Sequence, residues 1–146
     1  MEASSQHQTY RQVHVETASQ GKLIVMLYDA AIKRTEEAIS LLGTRRLDAV
    51  NNNLIRAQDI ISELRASLNM KAGDIAANLD RVYDYIHRRL IRGNVSKEQP
   101  PLEEAVKLLK VLRDTWKELF DTLPASEIPP TREEAARSNA MLNVRG

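Results

Sequence analysis

Few side chains in this sequence are typed and spaced for chemistry. The chain has three histidines, His7, His14 and His87, and no cysteine. That excludes disulfides, zinc–thiolate and iron–sulfur ligation and a cysteine nucleophile, and it fits a reducing compartment. Asp84 stands three residues before His87, the carboxylate-x-x-His spacing of carboxylate-bridged metal bundles. Such a centre needs that element on two helices and a carboxylate from each of two others. No second copy exists, so Asp84 and His87 read as surface or rim residues. The sequence also lacks G-x-S-x-G, a glycine-rich phosphate loop and H-E-x-x-H, and it is read as a non-enzyme with no cofactor and no bound metal.

Arg81, Arg88, Arg89 and Arg92 form a locally basic stretch. No aromatic platform accompanies them, and 21 basic against 20 acidic residues leave a net charge of +1. A solvated helix face with cations near its C-terminal end explains them better than a nucleic-acid surface, and no nucleic-acid partner is expected. The apolar residues say more. Ile24, Val25, Met26, Ile32, Leu41, Ile55, Ile60, Ile91, Val106, Leu108, Val111 and Phe120 all fall outside the main hydrophobic stripes. A single bundle interior cannot hold them all. The surplus points to an arm, a second protomer or a client chain packing on the surface. Tyr28 and Tyr83 each join an apolar body to a polar tip, which suits either the edge of a groove or a half-buried core position. Tyr10, followed by Val13 and Val15 in a polar segment, reads as a docking element.

These residues need elements to position them, and periodicity supplies helices. Leu47, Val50, Leu54, Ala57, Ile61, Leu64 and Leu68 step by threes and fours, as do Leu102, Ala105, Leu109, Leu112, Trp116, Leu119 and Leu123. Such seams require amphipathic helices. Ile75, Leu79, Val82 and Ile86 begin a third, widened by Ala76, Tyr83 and Leu90, and residues 23–42 form another with a broader apolar face. Thr17 and Ser19 are the expected N-caps of the first helix, and Gly43 its terminator. Thr44-Arg45-Arg46 is a tight connection, Lys71–Asp74 a break with Asp74 as cap, and Gly93-Asn94 the end of the third helix. Ser96 with Gln99 resembles a capping box before Pro100-Pro101, and Pro124 closes the fourth helix. Helices of about 20 to 25 residues are roughly 30 to 37 Å long. Matched lengths and short turns specify an all-α, antiparallel up-down-up-down four-helix bundle.

The expected organisation is an N-terminal arm over residues 1–18, a bundle over 19–123 and a tail over 124–146. Thr131-Arg132-Glu133-Glu134 opens a short helix within the tail, too short to be stable without a partner surface. No leader segment is visible, and the longest apolar run, Leu23 to Tyr28, is far below the roughly 20 residues of a membrane span. A cytoplasmic protein that does not insert into membranes is expected.

The order of residues then becomes specific. Tyr10-Arg-Gln-Val13-x-Val15-Glu-Thr17-Ala18-Ser19 and Leu23-Ile24-x-Met26-Leu27-Tyr28-Asp29 are followed by Ala57-x-x-Ile60-Ile61-x-x-Leu64 and Leu68. Ile75-Ala76-x-Asn78-Leu79, Tyr83-Asp84-Tyr85-Ile86-x-Arg88-Arg89-Leu90 and Leu109 to Trp116 complete a pattern that resembles the flagellar secretion chaperone FliS family over roughly residues 8–121. The resemblance implies a cytosolic bundle that binds the disordered C-terminal segment of flagellin, prevents its early polymerisation and presents it to a membrane protein of the flagellar type III export gate. It also implies a mobile arm over part of the client groove, with Tyr10 matching an arm tyrosine associated with gate docking.

On that basis the groove candidates are Leu23, Ile24, Leu27 and Tyr28, with Ile55, Ile61, Leu79, Tyr83, Ile86 and Leu90, all through apolar contact. Tyr10, Val13 and Val15 are the arm and gate-docking candidates, on a monomer or homodimer. The sequence departs from the family in Gln20-Gly21, where Pro usually follows the serine, in Ala30, usually Gly, and in polar His7. Gln20-Gly21 predicts a looser arm–helix junction and His7 a weaker arm contact. The tail, through Ile128, Met141, Leu142 and Val144, is expected to fold onto the groove when client is absent. A carboxylate-bridged metal enzyme and an adaptor for another protein or nucleic acid are the alternative readings of the bundle.

Overall fold

A computed structural model describes the backbone of residues 2–122 and the side chains of residues 21–121. It contains α1 (Glu2–Leu41), α2 (Leu47–Ala66), a 3-10 turn (Met70–Ala72), α3 (Asp74–Ser96) and α4 (Gln99–Thr122), with no strand among the described residues. Each helix packs against the two beside it, α1 on α2 and α4, and α3 on α2 and α4. This is the expected four-helix bundle. The tail expectations fall on residues outside those described.

The seams explain the core. Val50, Leu54, Ala57, Ile61 and Leu64 of α2 and Leu102, Ala105 and Leu109 of α4 are buried, meeting Tyr28, Ala31, Ile32 and Ala38 of α1. On α3 the buried set is Ala76, Tyr83, Ile86 and Leu90. The stripe beginning at Ile75 drifts outward, leaving Ile75 59% exposed. The two buried polar residues of the core are satisfied: Thr35 Oγ1 donates to the Ala31 carbonyl at 2.8 Å, and Asn53 Nδ2 donates to that of Ala49 at 3.0 Å.

The first connection follows from its residues. Gly43 takes φ 83°, a left-handed geometry that glycine adopts without cost, and Thr44 Oγ1 donates to the Leu41 carbonyl at 2.6 Å while accepting from Arg46 N at 3.2 Å. Before α3, Asn69 Oδ1 accepts from Lys71 N, and Gly73 at φ 81° leads into the helix. Asp74 is the first helical residue rather than the cap, placing its charge at the positive end of the helix.

Two expected boundaries are corrected. The helix passes through Thr17 and Ser19, so neither caps it, and residues 2–20 continue α1 as helical backbone. Gln20-Gly21 lies in unbroken helix, where Gly21 is buried against the Phe120 ring; a Cβ there would stand 2.9 Å from it. Similarly, α3 does not end at Gly93-Asn94. It runs to Ser96 and ends at Lys97, left-handed at φ 50°, with Glu98 N donating to the Gly93 carbonyl at 3.1 Å. Ser96 therefore belongs to α3 rather than to a capping box for α4. In both cases glycine serves close helix packing, a need that local sequence signals do not express.

Candidate functional site

The residues that could hold a client form two apolar surfaces. The first is a cleft at the end of the bundle where α2 stops. Arg65 of α2 pairs with Asp80 of α3 at 2.6 Å, so the first turns of α3 lie beyond the end of α2. In place of a helix, Ser67, Asn69 and Ala72 stand opposite them. These small groups fill less volume than a helix, and an opening remains. Ile24 of α1, Leu64 at the end of α2, Leu68 of the connection, Ile75, Ala76, Leu79 and Tyr83 of α3 and Trp116 of α4 complete its walls. Leu23 at 53% exposure and Met70 at 49% extend the apolar surface at this end of the bundle.

The floor is rigid and polar at one point. Tyr28 and Tyr83 are buried side by side, ring centroids 6.3 Å apart, and their hydroxyls are hydrogen-bonded to each other. Burial pushes the Tyr28 phenol well above the ordinary range and raises that of Tyr83, while Trp116 beside them acts in the opposite direction on both. Trp116 in turn stacks on Phe120 at 5.5 Å. The aromatic groups thus tie α1, α3 and α4 together beneath the opening.

The second surface lies on the outside of the α2–α3 seam. Asn94 Nδ2 donates to Asn51 Oδ1 at 2.9 Å. The helices are antiparallel, so one turn along each from that bond brings Ile55 alongside Ile91. Ile55 is 44% exposed, Ile91 38% and neighbouring Val95 79%. Three branched side chains thus make an exposed patch towards the opposite end of the bundle.

Charge around these surfaces is largely paired. Arg65 binds Asp80 and, at 3.0 Å, Asp84, which also binds Arg88 at 3.1 Å. The hydrogen bond from Arg65 holds the Asp80 carboxyl below its usual value, and the same bond raises the guanidinium. Arg89 lies 3.0 Å from Glu104 without the angle of a hydrogen bond, and Tyr85 donates to the same carboxylate. Asp84 is therefore engaged with two arginines. Among the described residues, no three His, Cys, Asp or Glu side chains gather as a metal site would need.

The sequence candidates separate cleanly. Ile24 and Leu79 line the cleft, Leu23 lies exposed near it, and Leu27 is partly buried against the core. Ile55 belongs to the second surface. Tyr28, Ile61, Ile86 and Leu90 are core residues, and Tyr83 is the buried cleft floor. The side chains of Tyr10, Val13 and Val15 lie outside the described set. Sequence reasoning placed Trp116 in a core seam and missed its role as a cleft wall; it also counted Ile91 as surplus without pairing it to Ile55, since only the interhelical register joins them.

The comparisons with known proteins agree with this architecture. Residues 3–123 match the family described as flagellar protein FliS. A flagellar secretion chaperone of Bacillus subtilis is 33% identical over 122 residues, 84% of this chain and 91% of that protein. The Salmonella typhimurium protein of the same name is 35% identical over 125 residues, 82% of this chain and 93% of its own length. The Escherichia coli one is 32% identical over 124 residues, covering 81% and 91%.

Proposed function

The chain belongs to the flagellar protein FliS family, and from that premise we propose that it is a cytoplasmic, non-enzymatic export chaperone for flagellin. Its client is the disordered C-terminal segment of flagellin. Bound to the bundle, that segment cannot polymerise early and is carried to the membrane protein of the flagellar type III export gate. Tyr10, with Val13 and Val15, is the docking element for the gate.

The observation that carries this reading is the pair of apolar surfaces. One is the cleft at Ile24, Leu79 and Trp116; the other is the Ile55–Ile91–Val95 patch. They lie towards opposite ends of the bundle, too far apart for one compact side-chain anchor. A chain that is disordered when free and folds into amphipathic helices on binding can cover both. Apolar contact also suits a carrier, since no group on either surface is arranged to make or break a bond. No helix among the described residues is long and apolar enough to cross a membrane.

The test is calorimetric titration with a peptide from the C-terminus of the same organism's flagellin. Saturable one-to-one binding with a large negative heat-capacity change, the mark of apolar burial, is the expected outcome. Absence of binding, both to the intact chain and to a chain ending at residue 124, would refute the flagellin reading.

A further inference from the structure

We propose that the chain's own C-terminal segment, residues 131–144, occupies the Ile24–Leu79–Trp116 cleft in the free protein. Trp116, a cleft wall, lies on α4 six residues before Thr122, about 9 Å at the helical rise. The chain therefore leaves the bundle at the end where the cleft opens. Pro124 cannot continue a helix. Residues 125–130, Ala-Ser-Glu-Ile-Pro-Pro, span up to about 20 Å when extended, enough to turn back over the opening.

The segment that follows is suited to such a site. Thr131 and Glu134 form a helix-start signal, and in a helix Ala136, Ala140 and Val144 recur at i, i+4 and i+8 with Met141 beside them. Small side chains allow close approach to a shallow floor, and methionine fills irregular gaps. A helix this short is marginal alone and gains stability from an apolar partner. The other apolar surface is a poorer match. Val95 lies 20 residues along α3 from Ile75, about 30 Å at the helical rise and beyond the linker's span.

Trp116 is the sole tryptophan and therefore reports on the cleft directly. Ending the chain at residue 124 is expected to shift its emission to the red and raise its quenching by acrylamide, with helical circular dichroism falling by no more than the removed segment supplies. A synthetic peptide of residues 125–146 should reverse both changes, and Met141→Asp in the full chain should reproduce them. If truncation costs more helicity than that, the Met141→Asp comparison decides alone; unchanged emission and quenching would overturn the proposal. The absence of cysteine permits a second test. The Ile75→Cys, Met141→Cys double variant should form an internal disulfide under mild oxidation, whereas a covalent dimer or no cross-link would refute docking within one chain. Competition between tail and client rests on the flagellin reading. A flagellin peptide that binds neither form would end that reading and leave the tail result intact.

Discussion

Gly93 of α3 lies directly against Leu102 of α4: a Cβ on Gly93 would stand 2.3 Å from Leu102 Cδ2 and 2.5 Å from its Cγ. Both residues are buried, so neither has free space into which to move. Glycine is ordinarily a poor helix residue, and replacing it with alanine inside a helix stabilises by about 1 kcal/mol. Here the sign reverses. Gly93→Ala should destabilise the bundle by about 1–3 kcal/mol through overpacking, read as a lower urea midpoint. A raised midpoint would show that α4 can move away without loss.

The Tyr28–Tyr83 hydroxyl pair predicts non-additive behaviour. Removing one hydroxyl takes away a partner from the buried other, at about 1–3 kcal/mol. Tyr28→Phe and Tyr83→Phe should each be destabilising, and the double variant should cost less than their sum. Additive losses in urea unfolding would argue against a direct bond between the two.

The same pair sets an alkaline limit. Burial raises both folded phenols above their ordinary value near 10. Their contribution to stability is fully present below that value. It is lost as pH rises, because the unfolded chain releases protons that the folded one keeps, at up to about 1.4 kcal/mol per pH unit for each phenol. The Tyr28→Phe, Tyr83→Phe double variant should lose stability less steeply above about pH 10. Equal slopes in thermal unfolding would reject this assignment.

At the acid end, the Arg65–Asp80 bond acts in the opposite direction. A depressed carboxyl contributes stability above its unfolded value, and that contribution disappears as pH falls through the folded value. Asp80→Asn should lower the melting temperature slightly near neutrality, with the difference from the native chain shrinking on acidification. The effect is small because the pair is solvent-exposed. A constant difference across pH would assign it to packing instead.

Charge substitutions separate surface from core. Leu23→Asp and Ile55→Asp change exposed side chains and should keep native circular dichroism while weakening flagellin-peptide binding at least tenfold, about 1.4 kcal/mol. Ile61→Asp and Ile86→Asp place a charge at fully buried positions and should unfold the bundle. Leu27→Asp lies between, since Leu27 packs on the core while partly exposed. Full binding by both Leu23→Asp and Ile55→Asp would remove these residues from the client surface.

The sequence alone determined the helices, their number and their antiparallel order. A step of three and four residues leaves one apolar face, and Thr44-Arg45-Arg46 cannot reach anything but a neighbour. Its surplus of apolar residues also implied that some would lie outside the core. Tertiary structure decided where. Ile75 and Ala76 are adjacent in sequence and periodicity favours the first, yet the face that α3 turns to its neighbours buries Ala76 and exposes Ile75. Ile55 and Ile91 become one surface only through the register fixed by Asn51 and Asn94. Gly93 looked like a helix end because a glycine's effect on its own backbone is local and legible. Its contact with Leu102 depends on how closely two helices approach, a distance that sequence periodicity does not carry.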